Sequence, residues 1–389
     1  MLFSKQHIYF LSFTVLTLFV IITANYSQYY IPFGKIVFPA AFCCLLFTFF
    51  QELIDYDKTI HLMIYFLICI FVFCFHSLES FQSPNVRLLV DVFFACSFLR
   101  LKREARLWVY DKFIRVLAIL LFLGIIEYVL FYIGISFVVG ESTRPGTIRI
   151  FNQGLLNLIP LYSIGFFRFQ FITEEPGYMG TLLFFIIATL NCAKYKKEFI
   201  VFTIAGVITF SLAFYLLVLL WGISKLKPSN YKFLLIPLIL YAFFYEPIND
   251  RIIDRVITKS EDGSLDNRNH QKVLDLYEDM WNDGRFIIGV GNRTFENLNL
   301  GGGSGVKYFM VLYGVVGLLL VSASFSVLFF KYNKFNYSNL TILLLFWFSF
   351  YQRCDLNLEP NIVILFSYGL AEKNFFPQEQ TEIIVIRQG

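Results

Sequence analysis

The chain has 389 residues, of which 57% are hydrophobic and 15% charged, with 49 phenylalanines and a formal net charge of +4. That composition excludes a soluble globular domain and defines a polytopic membrane protein. The small total charge says little; the placement of the charges along the chain says more.

The polar start Ser4-Lys5-Gln6-His7 leads into a long apolar run with no small-residue cleavage site, so no cleavable signal is expected. Apolar runs then cover about 8–25, 32–50, 60–78, 86–99 and 113–139. All but the fourth approach the ~20 residues that span a bilayer as helix. Arg87 and Arg100 at the ends of the fourth can snorkel and lengthen it. Between Arg100 and Arg115 lie Lys102, Arg103, Arg106 and Lys112 against Glu104 and Asp111. The positive-inside rule makes this stretch cytoplasmic, which places the N-terminus inside and residues 140–172 outside.

The first external segment, about 140–172, contains Arg144, Arg149 and Arg168, with Glu141 its one acid. A cationic outer segment runs against the usual bias, and two explanations fit. Its arginines pair with anionic lipid headgroups, or they hold an anionic substrate group, for which the planar guanidinium fork is suited. The stretch Leu155–Tyr162 predicts a helix lying along the interface. The segment closes on Arg168-Phe-Gln-Phe-Ile-Thr-Glu-Glu-Pro-Gly-Tyr-Met-Gly180, which carries Glu174 and Glu175 to the edge of the next apolar run. Carboxylates there are either a snorkelling helix end or a functional site. Pro176 predicts a helix start, and Gly177 and Gly180 leave one face open to a close neighbour.

Lys194, Lys196 and Lys197 follow, then an apolar run over 198–223, then Lys225, Lys227 and Lys232. One helix across 198–223 would put the second lysine cluster outside. Two short helices meeting near Thr209–Ser211 bring both clusters inside, and the charges favour that pair. A span near 232–246 exits to the second external segment, about 247–303. Spans at about 304–330, 338–351 and 360–372 follow, with Lys331 and Lys334 inside and a cytoplasmic tail over 373–389. The expected fold is an all-α polytopic bundle, a single integral-membrane domain over 1–389, with about twelve helices and both termini cytoplasmic.

In the second external segment, Asp266 or Asn267 can cap a helix bearing Val273, Leu276, Tyr277, Met280 and Trp281 on one face, closed by Gly284. Arg268 falls in its first turn, where free N–H groups favour a phosphate; a solvated arginine at a helix start fits equally. Gly289-Val-Gly291-Asn-Arg293 and Gly301-Gly-Gly-Ser304-Gly305 allow tight turns and close backbone approach. Neither is a P-loop, since no Lys-Ser or Lys-Thr stands at the required spacing. The cysteines and the four histidines show no metal-ligand spacing, so neither metal nor cofactor is expected, and no disulfide.

Arg168 followed at the right distance by Glu175-Pro176-Gly177, then Asn267-Arg268, Gly289, Gly291, Ser304 and Gly314-Val-Val-Gly317, resembles the O-antigen polymerases of the Wzy type. The likeness extends to the hydropathy layout over nearly the whole chain. It implies a metal-independent inverting glycosyltransferase at the periplasmic face of a bacterial inner membrane. Its substrate would be an oligosaccharide linked to undecaprenyl pyrophosphate, moved onto the next lipid-linked repeat unit. The related ligases, which deliver O-antigen to lipid A–core, carry a histidine near the position of Ser304. A lipid-linked oligosaccharide flippase is a further alternative, disfavoured by the long external segment. Implied partners are the lipid-linked substrate, membrane lipids, a chain-length regulator and a flippase, and no nucleic acid.

Within that reading the catalytic candidates are Glu175, Arg168 and Arg268. Glu174, Arg149, Arg293, Gly289, Gly291 and Ser304 are candidates for substrate binding. Fixed cations stabilise charge on a leaving pyrophosphate. Glu175 either accepts the acceptor hydroxyl's proton, with Glu174 raising its pKa, or positions Arg168.

Overall fold

A computed structural model describes residues 56–80, 102–135, 140–144, 147–154, 156–160, 168–171, 176–225, 271–291, 305–333 and 335–352, with Val92, Cys96, Leu99, Arg100 and Thr294. The expected spans at 8–25, 32–50, 232–246 and 360–372, most of 86–99, residues 247–270 and the 373–389 tail lie outside the described residues.

The helices, in chain order, are α1 (Tyr56–Ser80), α2 (Arg103–Tyr132), α3 (Pro176–Thr189), α4 (Lys196–Ile208), α5 (Leu212–Lys225), α6 (Gln271–Asp283), α7 (Gly305–Tyr332) and α8 (Tyr337–Gln352). Two stretches, Tyr110–Tyr132 and Gly305–Tyr332, are long and apolar enough to cross a membrane. The helix expected over 113–139 starts earlier, inside the basic stretch, so much of that cationic run is helical rather than a loop.

α3 is the centre of the bundle. A helix that is apolar on every side must be surrounded by protein or lipid, and α3 buries every residue from Met179 to Thr189. It packs against α4 and α5, and Phe185 meets Phe346 of α8 at 5.9 Å between centroids. Its buried hydroxyls turn inward on its own backbone: Thr181 donates to Gly177 O and Thr189 to Phe185 O. Gly180 admits the neighbouring turn, since a Cβ there would lie 2.7 Å from Ser211 Cβ. The open face expected around Gly180 therefore receives another helix, which is how small residues let backbones approach inside a bilayer.

Aromatic side chains set the antiparallel order of α1, α7 and α8. Tyr65 and Phe73 of α1 face Phe325 and Tyr313 of α7. Phe325 also stacks on Phe346 of α8 at 4.5 Å and 14°. Trp347 Nε1–H donates to Ser326 Oγ at 3.1 Å, which satisfies one polar tip of that contact.

One end carries a set of partnered basic groups. Asp111 accepts from Tyr195 O–H at 3.0 Å and pairs with Lys194 at 3.2 Å and Arg115 at 3.2 Å. Lys225 donates to Ser338 Oγ. Tyr332 O–H reaches Leu99 O at 2.8 Å, and the Arg106 guanidinium lies 4.9 Å over the Tyr332 ring. Of the two lysine clusters that flank 198–223, Lys194 thus sits with α2 through Asp111, and Lys225 with the start of α8. α4 and α5 form the short pair, and Thr209, Phe210 and Ser211 make its turn.

The described part of the first external segment holds the described strands: β1 (Gly140–Arg144), β2 (Thr147–Gln153) and β3 (Leu158–Pro160), antiparallel in the order β1-β2-β3. Where an interfacial helix was expected over Leu155–Tyr162, Leu158–Pro160 pairs with β2 instead. Ile159-Pro160 explains the difference: a β-branched residue favours strand, and proline, which lacks a donor, suits the end of an edge strand.

Candidate functional site

The turn between α4 and α5 is built around a helix C-terminus. The last carbonyls of any helix lack intrahelical partners, and here each finds a donor. Thr209 Oγ1–H donates to Gly206 O at 2.6 Å, and Tyr215 O–H to Val207 O at 2.6 Å. The Phe169 amide donates to Ile208 O at 3.1 Å. Arg168 Nε–H donates to Thr209 O at 3.1 Å. Phe210 takes a positive φ of 45°, which reverses the chain. The two short helices are close here, since a Cβ on Gly206 would meet the Phe214 ring at 2.3 Å.

Arg168 is therefore positioned by backbone that belongs to the short pair. A cation at a helix C-terminus also meets the negative end of the helix dipole. The guanidinium is half-buried and lies within electrostatic reach of the Tyr128 and Tyr215 phenols. It carries five N–H donors in a planar fork, and Nε accounts for one of them. Its neighbours are locked by packing. Phe169 is 1% exposed and meets Tyr128 edge-on at 5.5 Å. Phe171, at a positive φ of 55°, puts its ring 3.0 Å from where a Gly124 Cβ would stand.

The same turn of α2 holds the other part of this external segment. Glu127 Oε2 accepts from the Leu156 amide at 2.8 Å and from Asn157 Nδ2 at 3.3 Å. Asn157 Nδ2 also donates to Gly124 O at 2.6 Å. Gly154 leaves room for this carboxylate, since a Cβ there would lie 1.8 Å from Glu127 Oε1. Gly124, Glu127 and Tyr128 thus dock both Gly154–Asn157 and Arg168–Phe171. Sequence reasoning missed Glu127. The signal was a lone carboxylate within the 113–139 apolar run, a position where an ionisable group is expensive and has a task.

The second external segment meets α7 through glycines. α7 breaks at Gly314, whose φ of 70° and ψ of −178° are non-helical. The break leaves carbonyls in need of donors, and the loop after α6 supplies them. Val290 N–H donates to Val311 O at 2.8 Å, and Gly291 N–H to Leu312 O at 3.0 Å. The backbones cross so closely that a Cβ on Gly289 would lie 2.5 Å from Leu312 O, and one on Gly314 would lie 2.3 Å from Ile287 O. The close approach expected at Gly289 and Gly291 is present, and its partner is α7 rather than a ligand. Gly284, at φ 82°, ends α6 as expected. Of the α6 face, Val273, Leu276 and Met280 are buried, while Trp281 is exposed.

Arg149 lies in the central strand β2. Glu174, Glu175, Arg268, Arg293 and Ser304 lie outside the described residues. Glu175 immediately precedes α3, which begins at Pro176 as the sequence predicts. Among the described residues, no group of three or more His, Cys, Asp or Glu side chains is arranged to hold a metal ion.

The class these features define is a helical bundle with two helices long and apolar enough to cross a membrane and a small three-stranded sheet at one end. Compared with known proteins, the chain matches no family model, no curated protein and no solved structure.

Proposed function

We propose that the protein polymerises polysaccharide repeat units at the external face of a bacterial inner membrane, moving a glycan from undecaprenyl pyrophosphate to the next lipid-linked unit. The observation that carries this reading is Arg168. A half-buried guanidinium is held at the apex of the short helix pair, and the chain runs on from it toward Glu174 and Glu175. A cation fixed in a water-poor site acts on developing phosphate charge without reorganising first.

In this reading the acceptor hydroxyl oxygen attacks the anomeric carbon, and the bond from that carbon to the pyrophosphate oxygen breaks. The hydroxyl proton passes to a carboxylate, for which Glu175 is the candidate. The leaving pyrophosphate gathers charge, and Arg168 and Arg268 are the candidates to offset it. The alternative role for Glu175 in this reading is to orient the same guanidinium, which Thr209 O already tethers.

The test is the glycan phenotype of Arg168→Ala. Cells should still export repeat units and attach one unit to the lipid A–core, with no long chains. Arg168→Lys should rescue poorly, because lysine keeps the charge and loses the planar fork. Long chains retained on undecaprenyl pyrophosphate would instead assign a ligase. Single lipid-linked units trapped inside would assign a flippase. Purified protein supplied with lipid-linked repeat units should give a ladder that persists in EDTA.

A further inference from the structure

The tip of the second external segment carries an apolar surface that its own packing leaves uncovered. α6 buries Val273 and Met280, yet Trp281 is 48% exposed. Phe286 lies flat on Trp281, with centroids 4.5 Å apart at 15°, and Tyr277 meets it edge-on. Ile287 and Ile288 follow at 48% and 42% exposure. Scattered exposed apolar residues are ordinary, whereas a contiguous patch marks a surface with an occupant.

The position of the patch names that occupant. The Ile287 and Ile288 backbone presses on Gly314, which stands about 14 Å along α7 from Gly305 at 1.5 Å rise per residue. Val316 and Leu319, just beyond Gly314, are exposed, and they lie within the stretch long and apolar enough to cross a membrane. The tip therefore lies alongside a helix long and apolar enough to span, rather than above its end. Its two charges are arranged for such a place. Arg285 grips Asp283 through Nη2 at 2.5 Å and Nε at 2.6 Å, so the turn presents a closed ion pair. An exposed tryptophan at that depth matches the aromatic belt of membrane proteins.

We propose that Trp281–Ile288 is inserted in the external leaflet of the bilayer, with lipid covering the patch. The proposal rests on α7 spanning the membrane and is independent of the polymerase reading. One face of Trp281 is already filled by Phe286, so a sugar ring does not gain the two-sided stacking site its isolated indole would offer.

The experiment uses the full chain with Trp281 as its one tryptophan, through Trp108→Phe, Trp221→Phe and Trp347→Phe. A matching protein adds Trp281→Phe and Leu319→Trp. Both are reconstituted in phosphatidylcholine vesicles with or without lipids brominated near the carbonyl end of their chains. Trp281 emission should fall by roughly half in brominated vesicles, as for a belt tryptophan, at any protein density. Quenching by aqueous iodide without quenching by bromolipid overturns the proposal. A response that appears only as protein density rises assigns the patch to a second copy and also overturns it. If Leu319→Trp is quenched and Trp281 is not, the span stands and the insertion fails. If neither is quenched, both fail. Should the triple substitution not fold, native protein and Trp281→Phe are compared, and the quenchable share of emission must drop in the variant.

Discussion

Gly314 and Gly222 give opposite predictions from the same substitution. Alanine at Gly314 must adopt φ 70° with ψ −178°, a region that is nearly glycine-only, and its Cβ would strike Ile287 O. Gly314→Ala should lower stability by about 3 kcal/mol or more, with strain and clash adding. Gly222 lies in α5 with nothing within 4 Å of an added Cβ, so Gly222→Ala should raise stability by about 0.5–1 kcal/mol. Thermal unfolding in detergent measures both, and equal effects would refute the crossing. Glu127→Ala strips the acceptor from the Leu156 amide and Asn157, a loss of roughly 1–3 kcal/mol for buried donors. Glu127→Gln keeps one acceptor oxygen and should lose less. Hydrogen exchange at the Leu156 amide is the direct readout, and unchanged protection in Glu127→Ala would remove the docking role. Arg168, Gly289 and Gly314 were all legible as sites of interest in the sequence. Glu127 was hidden because its run was read by average hydropathy, and its partners at 154–157 are distant in sequence.

The short pair of α4 and α5 was legible as an element because the placement of two lysine clusters favoured it. Its capping was not legible, since Gly206, Val207, Ile208 and Thr209 carbonyls draw donors from Thr209, Tyr215, Phe169 and Arg168, and no local pattern announces such a set. The strand at Leu158–Pro160 was missed for a related reason. An apolar stretch that short reads as helix or strand alike, and pairing with β2 decides it. The turn after α6 carries its own pH signature. Hydrogen bonds from Arg285 hold the Asp283 carboxyl below its ordinary range. A depressed carboxylate contributes stability above its unfolded pKa, near 3.9, and loses it as pH falls through the lower folded value. Emission of the single-Trp281 protein should therefore stay constant from pH 7 to about 4 and change only below that. Asp283→Asn should abolish the acid step, and a step near neutral pH would contradict the assignment.

At the scale of the molecule, one end of the described bundle gathers a set of partnered charges. Asp111 with Lys194, Lys225 with Ser338, and Arg106 with Tyr332 all lie there, while the strands, Arg168 and the Gly289–Gly314 crossing lie at the other. On the positive-inside rule the expectation is that the first end faces the cytoplasm. Cys192 is exposed beside Lys194 and serves as a native reporter. Cys192, and a second thiol from Lys225→Cys in a protein lacking Cys192, should resist an impermeant thiol reagent in intact cells and react in inverted vesicles. Labelling of one and not the other in intact cells would break the short pair.

The docking of Gly154–Asn157 and Arg168–Phe171 on one turn of α2 makes the chain between them a closed excursion. Its feet are pinned by Glu127, Gly124 and Tyr128, so its length is not transmitted to the guanidinium. Closing a longer loop adds only about 0.6 kcal/mol for each doubling. A short glycine–serine insertion after Tyr162 should thus leave Phe169 seated on Tyr128. Past β3, the excursion can therefore change length, and so explore new partners, while the anchored cation keeps its address.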